Sequence, residues 1–201
     1  MGRYVLNPAE VTTAPIPLLA RPPILVVMGV SGAGKTLIAQ MLADKLSCPM
    51  LEGDSLHSAA NIKRMAAGIP LTDEDRHDWL IAIAQHITAA TRNEEALVVT
   101  CSALKRRYRD ILRGDVANPI FVHLSGDKAL IASRLKLRRD HFMPGALLES
   151  QFATLETPGA DELVIYCDVA PPPQAIVASI FEQLPRMIQR GIEALAERRE
   201  R

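Results

Sequence analysis

Five short apolar runs recur along the chain, and stretches with helical periodicity separate them. The runs are residues 24–28, 50–54, 96–101, 120–124 and 163–167. Short apolar runs bounded by polar residues are typical of buried strands. In the intervening stretches apolar residues recur at helical spacing, as Trp79, Ile83 and Ile87 do, which predicts amphipathic helices. This alternation predicts an α/β fold with about five parallel strands and helices on both faces of the sheet.

The two ends of the chain depart from this pattern. Residues 1–23 contain five prolines, which predict an irregular N-terminal arm. Near the other end, Pro185 interrupts the last amphipathic stretch, and an internal proline usually ends or bends a helix. Residues 185–201 are rich in charge and predict a frayed helical tail. We therefore expect one globular domain over residues 24–184, flanked by an arm and a tail.

The segment between the first strand and the first helix fits a phosphate-binding loop. Residues 29–36 read Gly-Val-Ser-Gly-Ala-Gly-Lys-Thr and match G-x-x-x-x-G-K-[ST]. A glycine-rich backbone can turn its amides toward an anionic phosphate, and the following helix adds partial positive charge. Lys35 can bind the outer phosphates, and the Thr36 hydroxyl can ligate Mg²⁺. The predicted nucleotide contacts are Gly29, Ser31, Gly32, Ala33, Gly34, Lys35 and Thr36.

Composition narrows the possible partners and the compartment. The chain has 23 basic and 23 acidic residues, so it lacks the broad positive field that nucleic-acid binding requires. Its three cysteines are far apart in sequence, which favours a reducing cytoplasm over a disulfide framework or a zinc site. No apolar run approaches the roughly 18 residues of a membrane span, and the first residues do not form a secretory signal. We expect a cytoplasmic protein without a nucleic-acid or membrane partner.

Charged residues follow two of the predicted strands, and ligands of parallel α/β sheets bind at the carboxyl ends of strands. Asp54 ends the second run and could orient a reacting hydroxyl; alternatively it caps a turn. Lys105 and Arg109 follow the third run and could contact a ligand, or they could form a solvated helix face. The third run ends without an acidic residue, so we assign Mg²⁺ to Thr36, the nucleotide and water, with Asp54 as a further candidate ligand.

A second group of basic residues occurs late in the chain. Arg134 and Arg138 are four positions apart and share one face of a predicted helix. Residues 139–145 form a charged loop that ends in Pro-Gly. Mobile loops with arginines close over the phosphates in phosphoryl transfer, which predicts a lid at about residues 138–146. The alternative is the cationic end of a surface helix.

Further motifs make the sequence resemble the gluconate kinases, a branch of the small P-loop kinases. The matching segments are residues 28–36, 52–57, 61–65, 68–71, 73–76, 79–80, 101–105, 108–110, 134–135, 138, 141–142, 151–152, 155–156 and 158–162. The Gly53-Asp54…His57 and Cys101-Ser102-Ala103-Leu104-Lys105 blocks are more selective than the phosphate loop alone. The resemblance covers residues 24–180 and leaves out the arm and the tail.

The resemblance implies a homodimeric enzyme that transfers the γ-phosphoryl group of ATP to the 6-hydroxyl of D-gluconate, with Mg²⁺. It implies that Lys35, Asp54 and Arg138 are catalytic and that Arg134 and Arg138 reach the phosphates. The substrate-binding residues that it implies are Asp54, His57, Arg64, Ser102, Lys105, Arg109, His141 and Gln151. Two alternatives remain open at this point: a kinase for another hydroxyacid or for a nucleotide monophosphate, and a nucleotide-binding module without catalysis.

Overall fold

The computed structural model describes residues 21–115, 118–136 and 145–199. The strands are β1 (Ile24–Met28), β2 (Met50–Glu52), β3 (Leu97–Thr100), β4 (Ile120–Ser125) and β5 (Val164–Asp168). The helices are α1 (Lys35–Leu46), α2 (Ala59–Ala66), α3 (Asp73–Arg92), α4 (Arg106–Arg113), α5 (Lys128–Lys136), α6 (Gly145–Thr154) and α7 (Pro173–Arg199). A short 3₁₀ helix, Gly53–Leu56, follows β2. None of the described helices is long and apolar enough to cross a membrane.

The five strands form one parallel sheet in the order β2-β3-β1-β4-β5. The first strand lies at the centre, where Val26 pairs with Val99 of β3 on one side and with Phe121 of β4 on the other. The predicted α/β fold with a five-stranded parallel sheet is therefore confirmed. Because all strands run the same way, every strand-to-helix connection lies at the same edge of the sheet.

Two apolar cores cover the two faces of the sheet. Leu25 and Val27 point into a core formed with side chains from α1, α5 and α7. Val26 and Met28 point the other way, toward α3 and α4. Successive residues of a strand face opposite sides of a sheet, so a strand buried on both faces must be apolar throughout. This requirement explains why β1 appears in the sequence as an uninterrupted apolar run.

In the sequence, Thr72 followed by three acidic residues predicts the capped start of a helix, and α3 begins there. The Thr72 Oγ1 atom accepts a hydrogen bond from the backbone N–H of Asp75 at 3.2 Å, and Asp75 Oδ2 accepts one from the Thr72 N–H at 2.7 Å. The hydrogen bonds that Asp75 Oδ2 accepts from the Thr72 N–H and hydroxyl lower the pKa of Asp75, because they favour its charged form. Such a reciprocal capping box satisfies two N–H groups that a helix leaves without partners. The predicted N-terminus of this helix is confirmed.

The predicted interruption at Pro185 is wrong, because α7 continues through this residue to Arg199. Leu184, Met187 and Ile188 are buried around the proline and join the core below α7. The packing of an amphipathic face supplies most of a helix's stability in a protein, and here it offsets the hydrogen bond that proline removes. The residues just beyond Pro185 thus pack on the domain.

One buried histidine in the sheet has no polar partner. His123 lies on β4, is 3% exposed, and contacts the ring of Tyr166 edge-on with centroids 5.8 Å apart. Neither of its ring nitrogens has a hydrogen-bond partner. Burial lowers the pKa of His123 to about 4, and the nearby positive charge of Arg109 adds to this effect. The imidazole is therefore neutral in the folded protein near neutral pH.

We expect the His123→Phe substitution to weaken the dependence of the free energy of unfolding on pH below pH 6.5. The unfolded chain binds a proton at this imidazole near pH 6.5, whereas the folded chain binds it only near pH 4. Between these values acidification favours unfolding by up to about 1.4 kcal/mol per pH unit, and above pH 6.5 the group has no effect. Urea unfolding at several pH values measures the slope. The exposed control His77→Gln should keep the wild-type slope, and an unchanged slope in His123→Phe would contradict the assignment.

Candidate active site

The phosphate-binding loop connects β1 to α1 with the geometry that its glycines permit. Gly29 has a φ of +133°, and a Cβ atom there would lie 2.5 Å from the backbone oxygen of Leu124. Gly34 is the N-cap residue of α1, so the loop leads directly into the helix N-terminus. The Lys35 Nζ atom donates to the backbone oxygens of Gly29 at 3.1 Å and Val30 at 3.2 Å. The lysine therefore lies back across the loop, where it can meet an outer phosphate.

Glu52, which sequence reasoning missed, lies against the end of this loop. Its Oε2 atom accepts a hydrogen bond from the Thr36 hydroxyl at 2.9 Å, and its Oε1 atom contacts the hydroxyl of Thr100 on the neighbouring strand. Glu52 is the last residue of β2, so its position at a strand's carboxyl end was the available signal. A threonine hydroxyl beside a carboxylate offers the hard oxygen ligands that Mg²⁺ prefers. In the described part of the chain, no cluster of three or more His, Cys, Asp or Glu side chains could hold a metal.

Asp54 lies at the same edge of the sheet as Lys35. It is an exposed residue in the 3₁₀ helix that follows β2. Lys35 begins α1, directly after the loop that follows β1, and Asp54 follows β2. Both strands belong to one parallel sheet, so their carboxyl ends lie at the same edge. Asp54 therefore lies at the edge that carries the phosphate loop, as its place after a strand predicts.

His57 and Trp79 form a stacked pair next to Asp54. Their ring centroids are 4.2 Å apart with an interplanar angle of 16°. Trp79 is buried and donates its indole N–H to the backbone oxygen of Gly53 at 2.7 Å, so it braces the turn that carries Asp54. The Nδ1 atom of His57 is buried without a hydrogen-bond partner. Burial lowers the pKa of this histidine, and the negative charge of Asp54 offsets part of that shift. Because this nitrogen is enclosed by protein, the His57 ring contributes here through its stacking on Trp79 beside Asp54.

A cavity of about 280 Å³ lies between the starts of α3 and α4 and the end of α6. Ser102, Lys105 and Gln151, three of the predicted substrate-binding residues, line it. Sequence reasoning did not select Asp73, Arg76 and Tyr108, which also line the cavity. The walls combine cations with the carboxylates of Asp73 and Glu74 and with hydroxyl and amide groups. This mixture suits a small acid that carries several hydroxyls.

Asp73 organises the basic side of the cavity. Its carboxylate accepts hydrogen bonds from the Lys105 Nζ atom at 2.9 and 3.1 Å and contacts the Tyr108 hydroxyl and the Arg107 guanidinium. Asp73 is the first residue of α3 and Lys105 caps α4, so these contacts connect the two helices at the cavity. The acidic first turn of α3 was visible in the sequence, but its cationic partners come from another helix.

Arg109 does not reach this cavity, in contrast to its predicted role as a substrate contact. Its side chain is fully buried, and its Nε atom donates to Glu162 Oε1 at 2.7 Å. Its Nη1 atom donates to the backbone oxygens of Ala103, Leu104 and Glu156 at 3.0 to 3.3 Å. These interactions occupy the guanidinium inside the protein. Arg109 therefore stabilises the backbone at Leu104, which lines the cavity, instead of contacting a ligand.

The remaining predicted residues lie in several different settings. Arg64 pairs with Asp75 Oδ1 at 3.1 Å, at the start of α3. Arg134 donates to the backbone oxygen of Val169, just after β5, at 2.8 Å. Arg138, His141 and most of the predicted lid lie outside the residues that the structure describes. Gln151 contacts Ser31 of the phosphate loop as well as the cavity.

Comparison with known proteins places this site in a family. A family model described as shikimate kinase matches residues 31–183. The thermoresistant gluconokinase of Escherichia coli (strain K12) is 44% identical over 164 residues, which cover 81% of this chain and 94% of that protein. The gluconokinase of Gluconobacter oxydans (strain 621H) is 50% identical over 145 residues, covering 72% of this chain and 82% of that protein. The chain belongs to the gluconokinase family.

A solved structure agrees with this family assignment. The crystal structure of a gluconokinase from Sinorhizobium meliloti 1021 is 43% identical and covers 84% of this chain and 95% of its own, with a TM-score of 0.76. The resemblance to gluconokinases inferred from the motifs is therefore confirmed. As a member of this family, the chain is a kinase with a P-loop.

Within this gluconokinase-family chain, the predicted residues form two groups around one edge of the sheet. Lys35, Thr36 and the loop amides form the phosphate side, and Ser102, Lys105 and Gln151 line the cavity. Asp54 and His57 lie on the turn after β2 and act electrostatically on each other. The structure thus brings the phosphate-binding loop, a carboxylate and a polar cavity to one edge of the sheet.

Proposed function

We propose that this protein transfers the γ-phosphoryl group of ATP to the 6-hydroxyl of D-gluconate and forms 6-phospho-D-gluconate. The observation that carries the proposal is its identity of 44 to 50% with gluconokinases over most of their length. The cavity supports the choice of acceptor, because Lys105 and Arg76 can attract a carboxylate while Ser102 and Tyr108 can bind hydroxyls.

We assign the roles in the reaction by position. Lys35 and the loop amides hold the β- and γ-phosphates, with Arg134 and Arg138 as further cations expected from the sequence. His57, Arg64, Ser102, Lys105, Gln151 and His141 form the predicted acceptor site. Asp54 orients the 6-hydroxyl or accepts its proton. Catalysis then consists mainly of positioning and charge stabilisation, because the phosphoryl transition state is loose.

The chemical balance of the transfer is simple. A bond forms between the 6-oxygen of the acceptor and the γ-phosphorus, and the bond from that phosphorus to the bridging oxygen of ADP breaks. The proton of the hydroxyl leaves to Asp54 or to water. The negative charge that spreads over the phosphoryl oxygens and onto ADP is met by Lys35 and by the backbone amides of the loop.

We also propose that Thr36 and Glu52 hold Mg²⁺ together with the phosphates of ATP. The hydroxyl and the carboxylate are 2.9 Å apart at the mouth of the loop, and both are oxygen ligands. When bound, the ion neutralises charge on the β- and γ-phosphates. Few protein ligands are needed, because Mg²⁺ usually keeps several waters and phosphate oxygens.

Replacing Glu52 with Gln should raise the Mg²⁺ concentration that gives half-maximal activity by about 10- to 100-fold, the usual cost of losing a carboxylate at or next to a metal. Gln keeps the size of the side chain but removes its charge. Titration of activity with Mg²⁺ at saturating ATP measures the effect. The exposed Glu182→Gln variant serves as a control. An unchanged Mg²⁺ requirement in Glu52→Gln would remove Glu52 from the site.

An acceptor panel tests the proposed function. ADP release is followed in a coupled assay with MgATP and, in turn, D-gluconate, shikimate and nucleotide monophosphates. Shikimate is the second candidate, because the matching family model is described as shikimate kinase. We expect D-gluconate to accelerate ADP release far more than the others. Faster release with shikimate would replace the proposed acceptor, and ATP binding without any acceptor-stimulated turnover would indicate a non-catalytic module.

We further propose a cytoplasmic homodimer that acts on a small molecule, without a nucleic-acid or membrane partner. The zero net charge supports the absence of nucleic acid. The three cysteines are free thiols in the structure, which fits a reducing compartment. The dimer rests on the family resemblance alone. Light scattering with size exclusion at micromolar concentration measures it directly.

A further inference from the structure

Gln151 connects the phosphate loop to the acceptor cavity. We propose that it is a positioning residue for phosphoryl transfer, because its amide fixes the apex of the loop relative to the bound acceptor. The proposal rests on the proposed kinase function and adds to it a coupling between the two substrate sites. The sequence suggested Gln151 only as a contact to the acceptor.

The first observation is a two-point contact between Gln151 and Ser31. The Gln151 Oε1 atom accepts a hydrogen bond from the Ser31 backbone N–H at 2.7 Å, and its Nε2 atom donates to the Ser31 Oγ atom at 3.1 Å. A backbone N–H can only donate, so the amide oxygen must face it and the amide nitrogen must face the hydroxyl. Both ends of the amide are thus bound to one residue, which lies 120 positions earlier in the chain.

The second observation is that the loop apex is also held from α5. A Cβ atom on Gly32 would lie 2.6 Å from Leu135 Cγ and 3.2 Å from Ile131 Cγ2. Gly32 therefore allows α5 to pack directly on the loop. Together, α5 and α6 restrain residues 31 and 32, whereas β1 and α1 restrain the two ends of the loop. The position of the apex thus depends on these two later helices.

The third observation is that Gln151 lines the acceptor cavity together with Ser102 and Lys105. One side chain therefore contacts the loop on one side and the acceptor space on the other. Phosphoryl transfer requires the hydroxyl and the phosphorus in line, and a misplacement of about 1 Å can cost about 100-fold in rate. A side chain that is hydrogen-bonded to the loop and also lines the acceptor space restricts such a misplacement. The Ser31 N–H, which the sequence assigned to the nucleotide, serves this connection in the structure.

The test compares Gln151→Leu, Ser31→Ala and the double variant in steady-state kinetics with MgATP and D-gluconate. Leu has nearly the size of Gln but forms neither hydrogen bond. We expect kcat to fall about 10- to 100-fold in Gln151→Leu, while both KM values stay within about threefold. The double variant should be no slower than Gln151→Leu, because Ser31→Ala removes only the hydrogen bond to Oγ, which Gln151→Leu already removes. Gln183→Leu removes a similar surface contact, to Ser179 in α7, and is the matched control.

Hydrogen exchange of the amides in residues 29–36 provides a readout that needs no acceptor. In Gln151→Leu the Ser31 N–H loses its partner, so exchange of this segment should accelerate, while Gln183→Leu should leave it unchanged. Near-normal kcat, a rise in the gluconate KM alone, additive losses in the double variant or unchanged exchange would each overturn the proposal. If the wild-type protein does not phosphorylate D-gluconate, the proposed function fails, and the exchange experiment still decides the role of Gln151.

Discussion

The Asp54→Asn variant is expected to lose about 10²- to 10⁴-fold in kcat with D-gluconate, while its KM for ATP stays near the wild-type value. Asp54 lies at the sheet edge that carries Lys35, on a turn braced by the indole of Trp79. Asn keeps the shape of the side chain and can still donate a hydrogen bond, but it cannot accept a proton. The variant therefore removes the carboxylate from the acceptor hydroxyl without disturbing the phosphate loop.

Steady-state kinetics at saturating MgATP measures this loss, with Asp44→Asn on the exposed face of α1 as the control. Both roles proposed for Asp54, orienting the hydroxyl and accepting its proton, need the carboxylate, so this variant tests them together. Full activity in Asp54→Asn would exclude both roles.

The parts of the site that sequence predicts well are those encoded within one segment. The phosphate loop is one run of eight residues, and its shape follows from its own glycines and from the strand and helix at its ends. The Thr72–Asp75 cap is equally local. The five strands were found because a parallel sheet covered on both faces requires uninterrupted apolar runs.

The parts that sequence missed depend on contacts between distant segments. Lys105 and Arg109 are four positions apart on one basic segment, and nothing in that segment distinguishes them. In the folded chain Lys105 lines the cavity, whereas Arg109 is buried against Glu162, which lies 53 residues later. Charge patterns alone place both residues in solvent or both in the site. Only the partner on the other segment decides between a ligand contact and a buried ion pair.

Contacts between distant segments also explain why the sequence did not predict the roles of Glu52 and Gln151 or the continuation of α7 through Pro185. Glu52 accepts a hydrogen bond from Thr36, and Gln151 accepts one from Ser31. No local sequence pattern encodes these contacts. Pro185 remains within α7 because Met187 and Ile188 pack on the core beyond it. Local propensity predicted a break there, and tertiary packing overrode it.

The Glu162→Gln variant is expected to destabilise the fold by about 3–5 kcal/mol, which corresponds to a fall in Tm of about 6–20 °C for a chain of this size. The Glu162 side chain is fully buried and accepts hydrogen bonds from Arg109, from Arg113 and from the backbone N–H of Gly159. Burial by itself would raise the pKa of Glu162, but these hydrogen bonds outweigh it and the pKa is lowered. Gln keeps the shape but leaves the buried Arg109 guanidinium without a counter-charge.

Asp161→Asn provides a matched control, because the neighbouring Asp161 pairs with Arg106 at 2.6 Å on the exposed surface. Surface ion pairs contribute little, so this variant should unfold close to the wild type. The carboxylate of Glu162 stabilises the fold above its unfolded pKa of 4.5, and this contribution disappears as pH falls through the lower folded value. The difference in stability between wild type and Glu162→Gln should therefore be largest near neutral pH and shrink below pH 4.5. If Glu162→Gln and Asp161→Asn had the same free energy of unfolding at pH 7, this result would contradict a structural role for the Glu162–Arg109 pair. It would also reopen the possibility that Arg109 can leave the core to meet the acceptor.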